Sequence, residues 1–403
     1  MSRAFLVVLD SAGIGGAPDA GEFFNGDVPD TDANTIGHIA QACAAGRAED
    51  GRSGPLQVPV LASLGLGAAL EAASGMAPPP GLDGPVTGAW AAATEVSRGK
   101  DTPSGHWELA GVPVPWDWHT FPKADPCFPP ELVEEVCRLS GTDGILGNRH
   151  ASGTNIIEEE GAAHVRNGRP ICYTSVDSVF QIAAHEEAFG LDRLLELCAD
   201  LAPRLHDMKV GRVIARPFLG SEETGWKRTS NRKDFAIAPP APTLCDWLHE
   251  AGHPVHAVGK IGDIFSMRGI DDVVKGEDAE LMEGLAALAD GAEDGAFVFA
   301  NLVEFDSLYG HRRDVSGYAR ALEWADNALG LIIPRLRAGD LLIVTADHGN
   351  DPTFSGTDHT RERVPVLMQG AVPGGRGLVD FVDVAATVAD HLGVTPKNGK
   401  SFL

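Results

Sequence analysis

Positive charge is scarce in this chain: 32 lysines and arginines stand against 57 aspartates and glutamates among 403 residues, a formal net charge of -25 at pH 7. A field of that sign repels bare nucleic acid and anionic membrane surfaces, and no local basic run reverses it. Long hydrophobic runs are missing as well. No stretch reaches the length needed to span a bilayer, and the opening MSRAFLVVLD meets an aspartate after one short apolar run, so no signal peptide is expected. Cysteine is sparse and scattered. Cys43, Cys127, Cys137, Cys172, Cys198 and Cys245 form no CxxC pair and read as isolated, reduced thiols of a cytoplasmic protein. Any metal must then look elsewhere for its ligands. Internal repeats and low-complexity tracts are also absent.

What is present is an ordinary globular balance, 43% hydrophobic and 22% charged, in a chain long enough for two domains or for one with an insertion. Short apolar runs ending in a polar residue, FLVVLD (5–10), FVFANLVEFD (297–306) and DLLIVTADHG (340–349), read as buried strands of a mostly parallel sheet. Helical patterns at 279–290 and 315–336 lie between them, the alternation of an α/β fold. From 118 to 235 the text changes to proline-rich turns, a glycine-rich segment, a strand-like PICYTSV and a helix-like EAFGLDRLLELCADLAPRL. The expected organisation is a core from 1–117 and 236–403 with a smaller α/β domain, 118–235, inserted between.

Ligands of open α/β sheets sit at the carboxyl ends of the strands, where Asp10, Asp306 and Asp347 are expected. Close to them in sequence come His311 in EFDSLYGHRRD, His348 in TADHGND and His359 in GTDHTRE. One aspartate at a strand end is ordinarily a cap or a solvated turn. Six carboxylates and imidazoles in this pattern match the needs of two divalent transition metals sharing a site, the common apparatus for displacement at phosphorus. The segment GKDTPSGHWE (99–108) adds a hydroxyl, Thr102, followed by a proline suited to the first turn of a helix. A helix N-terminus there would welcome a phosphoryl group, and a nearby cation would make the hydroxyl a stronger nucleophile. The plain alternative is that Thr102 is an N-cap and that His106 and Trp107 fill the core.

GKDTPSGHWE, NLVEFDSLYGHRRD, TADHGNDPTFSGTDHTRE, ASGTNIIEEEGAAH and YTSVDSVFQIAAHEE resemble the signature segments of the phosphopentomutases, two-metal mutases of the alkaline phosphatase superfamily, and occur in that family's order. The resemblance implies an alkaline-phosphatase-like core with an inserted cap that closes over the sugar. Asp306, His311 and His359 would hold one metal and Asp10, Asp347 and His348 the other, manganese being usual. Thr102 would carry the phosphoryl group. Asp177 would hydrogen-bond the pentose, and Lys260, Arg216 and Arg232 would hold the distal phosphate. The implied reaction interconverts ribose 1-phosphate and ribose 5-phosphate, and the deoxyribose pair, after priming by a sugar bisphosphate such as glucose 1,6-bisphosphate or ribose 1,5-bisphosphate. PSGHWE in place of PTGHWE and LVEFD in place of LVDFD are departures that touch no proposed ligand. TSNRKDF has a lysine where histidine is common. The rivals are a phosphatase of the same superfamily, a cofactor-independent phosphoglycerate mutase, and a metal-binding scaffold without turnover. Oligomeric state is not expressed in the sequence.

Overall fold

The computed structural model describes residues 2–175 and 178–403. It divides into two compact units, Met1–Pro115 with Pro239–Leu403, and Trp116–Ala238.

The first unit is built on an eight-stranded sheet. Its middle strand, Ala4–Leu9, is buried at every position and pairs in parallel with Phe297–Leu302 on one side and Leu341–Thr345 on the other. Apolar runs without alternation are what a sheet covered on both faces requires. Beyond Phe297–Leu302 the order continues, still parallel, through Val255–Val258 to Asp272–Val274. On the other side Val364–Gln369 runs antiparallel to both Leu341–Thr345 and Ala89–Thr94, and Gly374–Asp380 closes the sheet in parallel. The three apolar strands of the sequence reading are therefore neighbours, and their carboxyl ends open at one edge of the sheet.

The helices follow from apolar periodicity and capping. Val315–Ile332 begins where the Asp314 side chain accepts the Gly317 amide at 2.8 Å, and buries Tyr318, Leu322, Ala325, Leu329 and Ile332, one face at a helical spacing. That face packs against the Thr35–Ala44 helix and the turn at Phe305–Gly310. Asp278–Gly291 is closed by a capping box between Glu277 and Glu280.

The second unit has its own six-stranded sheet, with Arg212–Ser221 and Val179–His185 at its centre, and its own core. Phe121, Phe128, Phe180, Leu197, Leu201 and Val213 fill one side beneath the helix Leu191–Asp207. Ile156, Ile157, Tyr173 and Phe218 form a second cluster with the helix Gly153–Asn167. The glycine-rich stretch holds a strand, Leu146–His150, paired in parallel with Ile171–Thr174. Asn148 sits there at φ 56°, and the register shifts between Gly147 and Arg149. Such a bulged strand lacks the regular alternation by which strands are recognised.

Among the described residues no helix is long and apolar enough to cross a membrane.

Candidate functional site

Asp10 follows the Ala4–Leu9 strand directly, and Asp347 and His348 follow Leu341–Thr345. Asp306 departs from the strand-end expectation. Its strand stops at Leu302, and the aspartate lies beyond it in a π-helical turn, Phe305–Gly310, with His311 next in line. Widened turns of this kind recur at functional sites because they re-aim a side chain that an α-helix would carry past its target. The turn is anchored by Phe305, fully buried and 5.6 Å from the Tyr318 ring.

These turns converge. His348 Nε2 lies 3.5 Å from Asp10 Oδ1 and 3.3 Å from Asp347 Oδ2. His359 Nε2 lies 3.4 Å from Asp306 Oδ1 and 3.2 Å from His311 Nε2, which is itself 3.0 Å from Asp306 Oδ2. Two groups of donor atoms gather within 4.8 Å of one another: Asp10, Asp347 and His348, and Asp306, His348 and His359. His348, expected to serve one metal only, stands between the two groups, its ring stacked 4.0 Å from that of His359.

Four observations fit this cluster to divalent cations. Donors each ~2.1 Å from a common cation lie ~3.0–3.4 Å apart, close to the 3.0–3.5 Å of the contacts just described. The histidines are oriented for ligation: Nδ1 of His311 donates to Thr357 O at 2.7 Å, Nδ1 of His359 to Lys100 O at 2.7 Å and Nδ1 of His348 to Gly349 O at 3.1 Å. A carbonyl only accepts, so the proton sits on Nδ1 and each Nε2 presents a lone pair. Asp10 Oδ1 and Asp347 Oδ2 are buried without a hydrogen bond to the described residues. Finally, burial together with the Asp347 and Asp306 charges pushes the Asp10 carboxyl well above its ordinary range, while burial holds His348 neutral, down to about 4. Buried carboxylates this close repel one another unless a cation stands among them.

Several supports were not singled out in the sequence. Asn301 Nδ2 donates to Asp10 Oδ2 at 2.9 Å and Asn350 Nδ2 to Asp306 Oδ1 at 2.6 Å, each fixing one oxygen and leaving the other available. Asn301 did carry a signal, a polar residue inside an apolar strand run. Arg313 donates to Asn350 Oδ1, Gly310 O, Gly356 O and Asp358 O, binding the loop of His311 to that of His359. Ser11, at φ 69°, turns its amide onto Asp347 Oδ1 at 3.1 Å. Glu362 accepts from Thr35 N and Oγ1, Gly15 N and Thr360 Oγ1. Gly349 is needed for close approach to this carboxylate, since a Cβ there would lie 2.3 Å from Glu362 Oε1.

Thr102 is the first residue of the helix Thr102–Leu109, with Pro103 second. The cap is Asp101, whose carboxylate accepts the Ser104 amide at 3.1 Å, so the expectation that Pro103 leads the helix shifts by one. Thr102 Oγ1 lies 3.4 Å from His348 Nε2. Gly105 makes this approach possible, because a Cβ there would fall 2.1 Å from the Asp347 carbonyl oxygen. Glu108 is structural: it accepts the Val96 and Ser97 amides at 2.8 and 2.7 Å.

Three other expected residues have local partners of their own. Lys260 precedes the short helix Ile261–Ile264, exposed and 3.8 Å from Asp263. Arg216, on Arg212–Ser221, is half-buried and donates to Gln181 Oε1 at 2.8 Å. Arg232 is exposed and bidentate to Asp234, both contacts 2.7 Å. Asp177 lies outside the described residues. His150 and His185 have local work: His150 Nε2 donates to Phe121 O at 3.0 Å, and His185 Nδ1 accepts the Glu187 and Ala188 amides.

Comparison with known proteins places the chain first in a class. The Metalloenzyme superfamily matches residues 2–396. Within that class the chain belongs to the phosphopentomutase family: it is 58% identical over both full lengths to the phosphopentomutase of Methylobacterium nodulans and 55% to that of Rhizobium meliloti. It is thus an enzyme, a phosphotransferase of the mutase type. Among solved structures, a Pyrococcus horikoshii protein aligns over 99% of this chain and 98% of its own, at 13% identity and TM-score 0.48. Leishmania mexicana phosphoglycerate mutase aligns over 99% and 97%, at 14% and 0.39.

Proposed function

We propose that this enzyme interconverts α-D-ribose 1-phosphate and D-ribose 5-phosphate, and the 2-deoxyribose pair, in the cytoplasm, through a phosphothreonine at Thr102. The observation that carries the reading is the placement of the Thr102 hydroxyl at a helix N-terminus, 3.4 Å from His348 Nε2 at the rim of the buried carboxylate and imidazole cluster. The names of its full-length relatives supply the pentose.

Two Mn²⁺ ions suit the oxygen and nitrogen donors, held by Asp306, His311 and His359 and by Asp10, Asp347 and His348. When bound they would stabilise charge on the attacking and leaving oxygens of phosphoryl transfer. The chain's own part is placement. Asn301 and Asn350 hold the carboxylates, and the helix N-terminus directs backbone amides and its dipole toward the phosphoryl group on Thr102. A sugar bisphosphate first charges Thr102. The free hydroxyl of a bound monophosphate then attacks phosphorus, its new P–O bond forming as the bond to Thr102 Oγ1 breaks, and the hydroxyl proton leaves to solvent. The product is ribose 1,5-bisphosphate. Return of its other phosphate to Thr102 completes the exchange. Lys260, Arg216 and Arg232 would neutralise the phosphate that is not reacting, and Asp177 would hold the sugar hydroxyls. The inserted unit would act as a cap that keeps water from the phosphothreonine.

Phosphorus NMR of the protein with Mn²⁺, ribose 1-phosphate and a trace of sugar bisphosphate tests this. Ribose 5-phosphate should grow at constant total sugar phosphate and stop on chelation. Free phosphate appearing instead would make the enzyme a phosphatase.

A further inference from the structure

We propose that His106 is a positioning residue that locks the nucleophile's helix to the carboxylate of Asp347, setting the spacing between Thr102 and the cation that Asp347 holds. The inference rests on the reading of Thr102 and Asp347 given above and extends it to a residue with no role there.

His106 lies one helical turn after Thr102 and is completely buried. Its Nδ1 is 2.9 Å from the Thr102 carbonyl oxygen and 3.0 Å from Asp347 Oδ2. Nε2 has no hydrogen-bond partner among the described residues, and the ring lies 6.0 Å from that of Phe299. The Thr102 carbonyl takes the Nδ1 proton, and Asp347 Oδ2, which has no hydrogen bond of its own, lies against the same nitrogen at 3.0 Å, so one edge of the ring faces both the first residue of the helix and the carboxylate. A residue needed only to fill this space would be apolar, since a buried ring nitrogen left without a partner carries a desolvation cost. Gly105 lets the same turn of helix press against the Asp347 backbone, so the helix meets the strand end by shape at one residue and by a close polar contact at the next. Second contacts of this kind orient a ligand and commonly change metal affinity or activity by ~10–100-fold when removed.

Three variants decide the matter, each stripped with a chelator, titrated with Mn²⁺ by calorimetry, and assayed for turnover and thermal midpoint. His106→Leu removes both contacts. His106→Asn carries an amide N–H as many bonds from Cα as Nδ1, and His106→Gln carries it one atom further. The expected result is about 10–100-fold weaker binding of one of the two Mn²⁺ equivalents in His106→Leu, with recovery in His106→Asn and little in His106→Gln, and the same order in turnover. Equal losses in all three, following the thermal midpoint alone, would reduce His106 to a core residue and overturn the proposal. So would unchanged Mn²⁺ affinity in His106→Leu. If His106→Leu does not fold, the order of asparagine over glutamine decides by itself. Repeating the titration in Thr102→Ala separates the two readings, because the metal result does not need the nucleophile, whereas an active Thr102→Ala enzyme would sink the phosphothreonine alone.

Discussion

The metal-ligand cluster of the first unit and the proposed phosphate contacts of the second hold their side chains in opposite ways. In the first, Asp10, Asp306, Asp347, His348 and His359 are buried, and Asn301, Asn350, Ser11 and two backbone carbonyls fix their orientation. In the second, Arg216 is only half-buried against Gln181, and Arg232 stands in solvent with Asp234. Preorganisation explains the first pattern. Carboxylates gathered out of water tolerate little disorder, and they are ready for a cation without rearrangement. The second pattern suits groups that must engage and release a substrate. An exposed ion pair is worth about 0–1 kcal/mol, so Arg232 can exchange Asp234 for a phosphate at small cost.

The sharpest way to break this contrast is at Thr102. Thr102→Ala should lower turnover by roughly 10⁴–10⁶-fold, as removal of a covalent nucleophile does, while elemental analysis finds the metals retained. Substantial turnover in that variant would show that the preorganised cluster serves some other group.

Next in size is a buried carboxylate of the first unit outside the metal cluster. Asp278 accepts the Val303 and Glu304 amides at 3.1 Å each, just ahead of the turn that carries Asp306. Burial raises its carboxyl from 3.8 to about 7. A raised folded-state value means that this contribution to stability is complete below about pH 4 and is lost as pH rises through about 7. Asp278→Asn cannot ionise and should lack the effect. The stability difference, wild type minus variant, should fall by roughly 1–3 kcal/mol between those limits, read from denaturant midpoints at several pH values. A flat difference would mean that Asp278 stays ionised in the fold.

The smallest stability effect is expected in the second unit. Arg232→Ala should change stability by no more than ~1 kcal/mol and raise KM for the sugar phosphate about 10-fold with kcat little altered. A destabilised protein with unchanged KM would make Arg232 a structural partner of Asp234 and erase the contrast.

Much of the core was legible because its signals are local. An unbroken apolar run needs no partner to be recognised as a buried strand, and Ala4–Leu9, Phe297–Leu302 and Leu341–Thr345 lie where the sequence put them. Aspartates and histidines at the ends of those runs stood out for the same reason. Asn350 and Arg313 did not, since their importance depends on loops far apart in the chain meeting at one point. The strand Leu146–His150 was hidden by its bulge, and the π-helical turn around Asp306 by the lack of any composition that marks such a turn.

By itself, then, the sequence determined the α/β class, the scarcity of positive charge and the residue types available for metal and phosphoryl chemistry, because these follow from composition, periodicity and order along the chain. Tertiary structure alone decided which donors come together, that His348 stands between both groups, and that His106 bridges Thr102 and Asp347. Those facts depend on contacts between residues as much as 338 positions apart, from Asp10 to His348, and no local pattern encodes a distance of that kind.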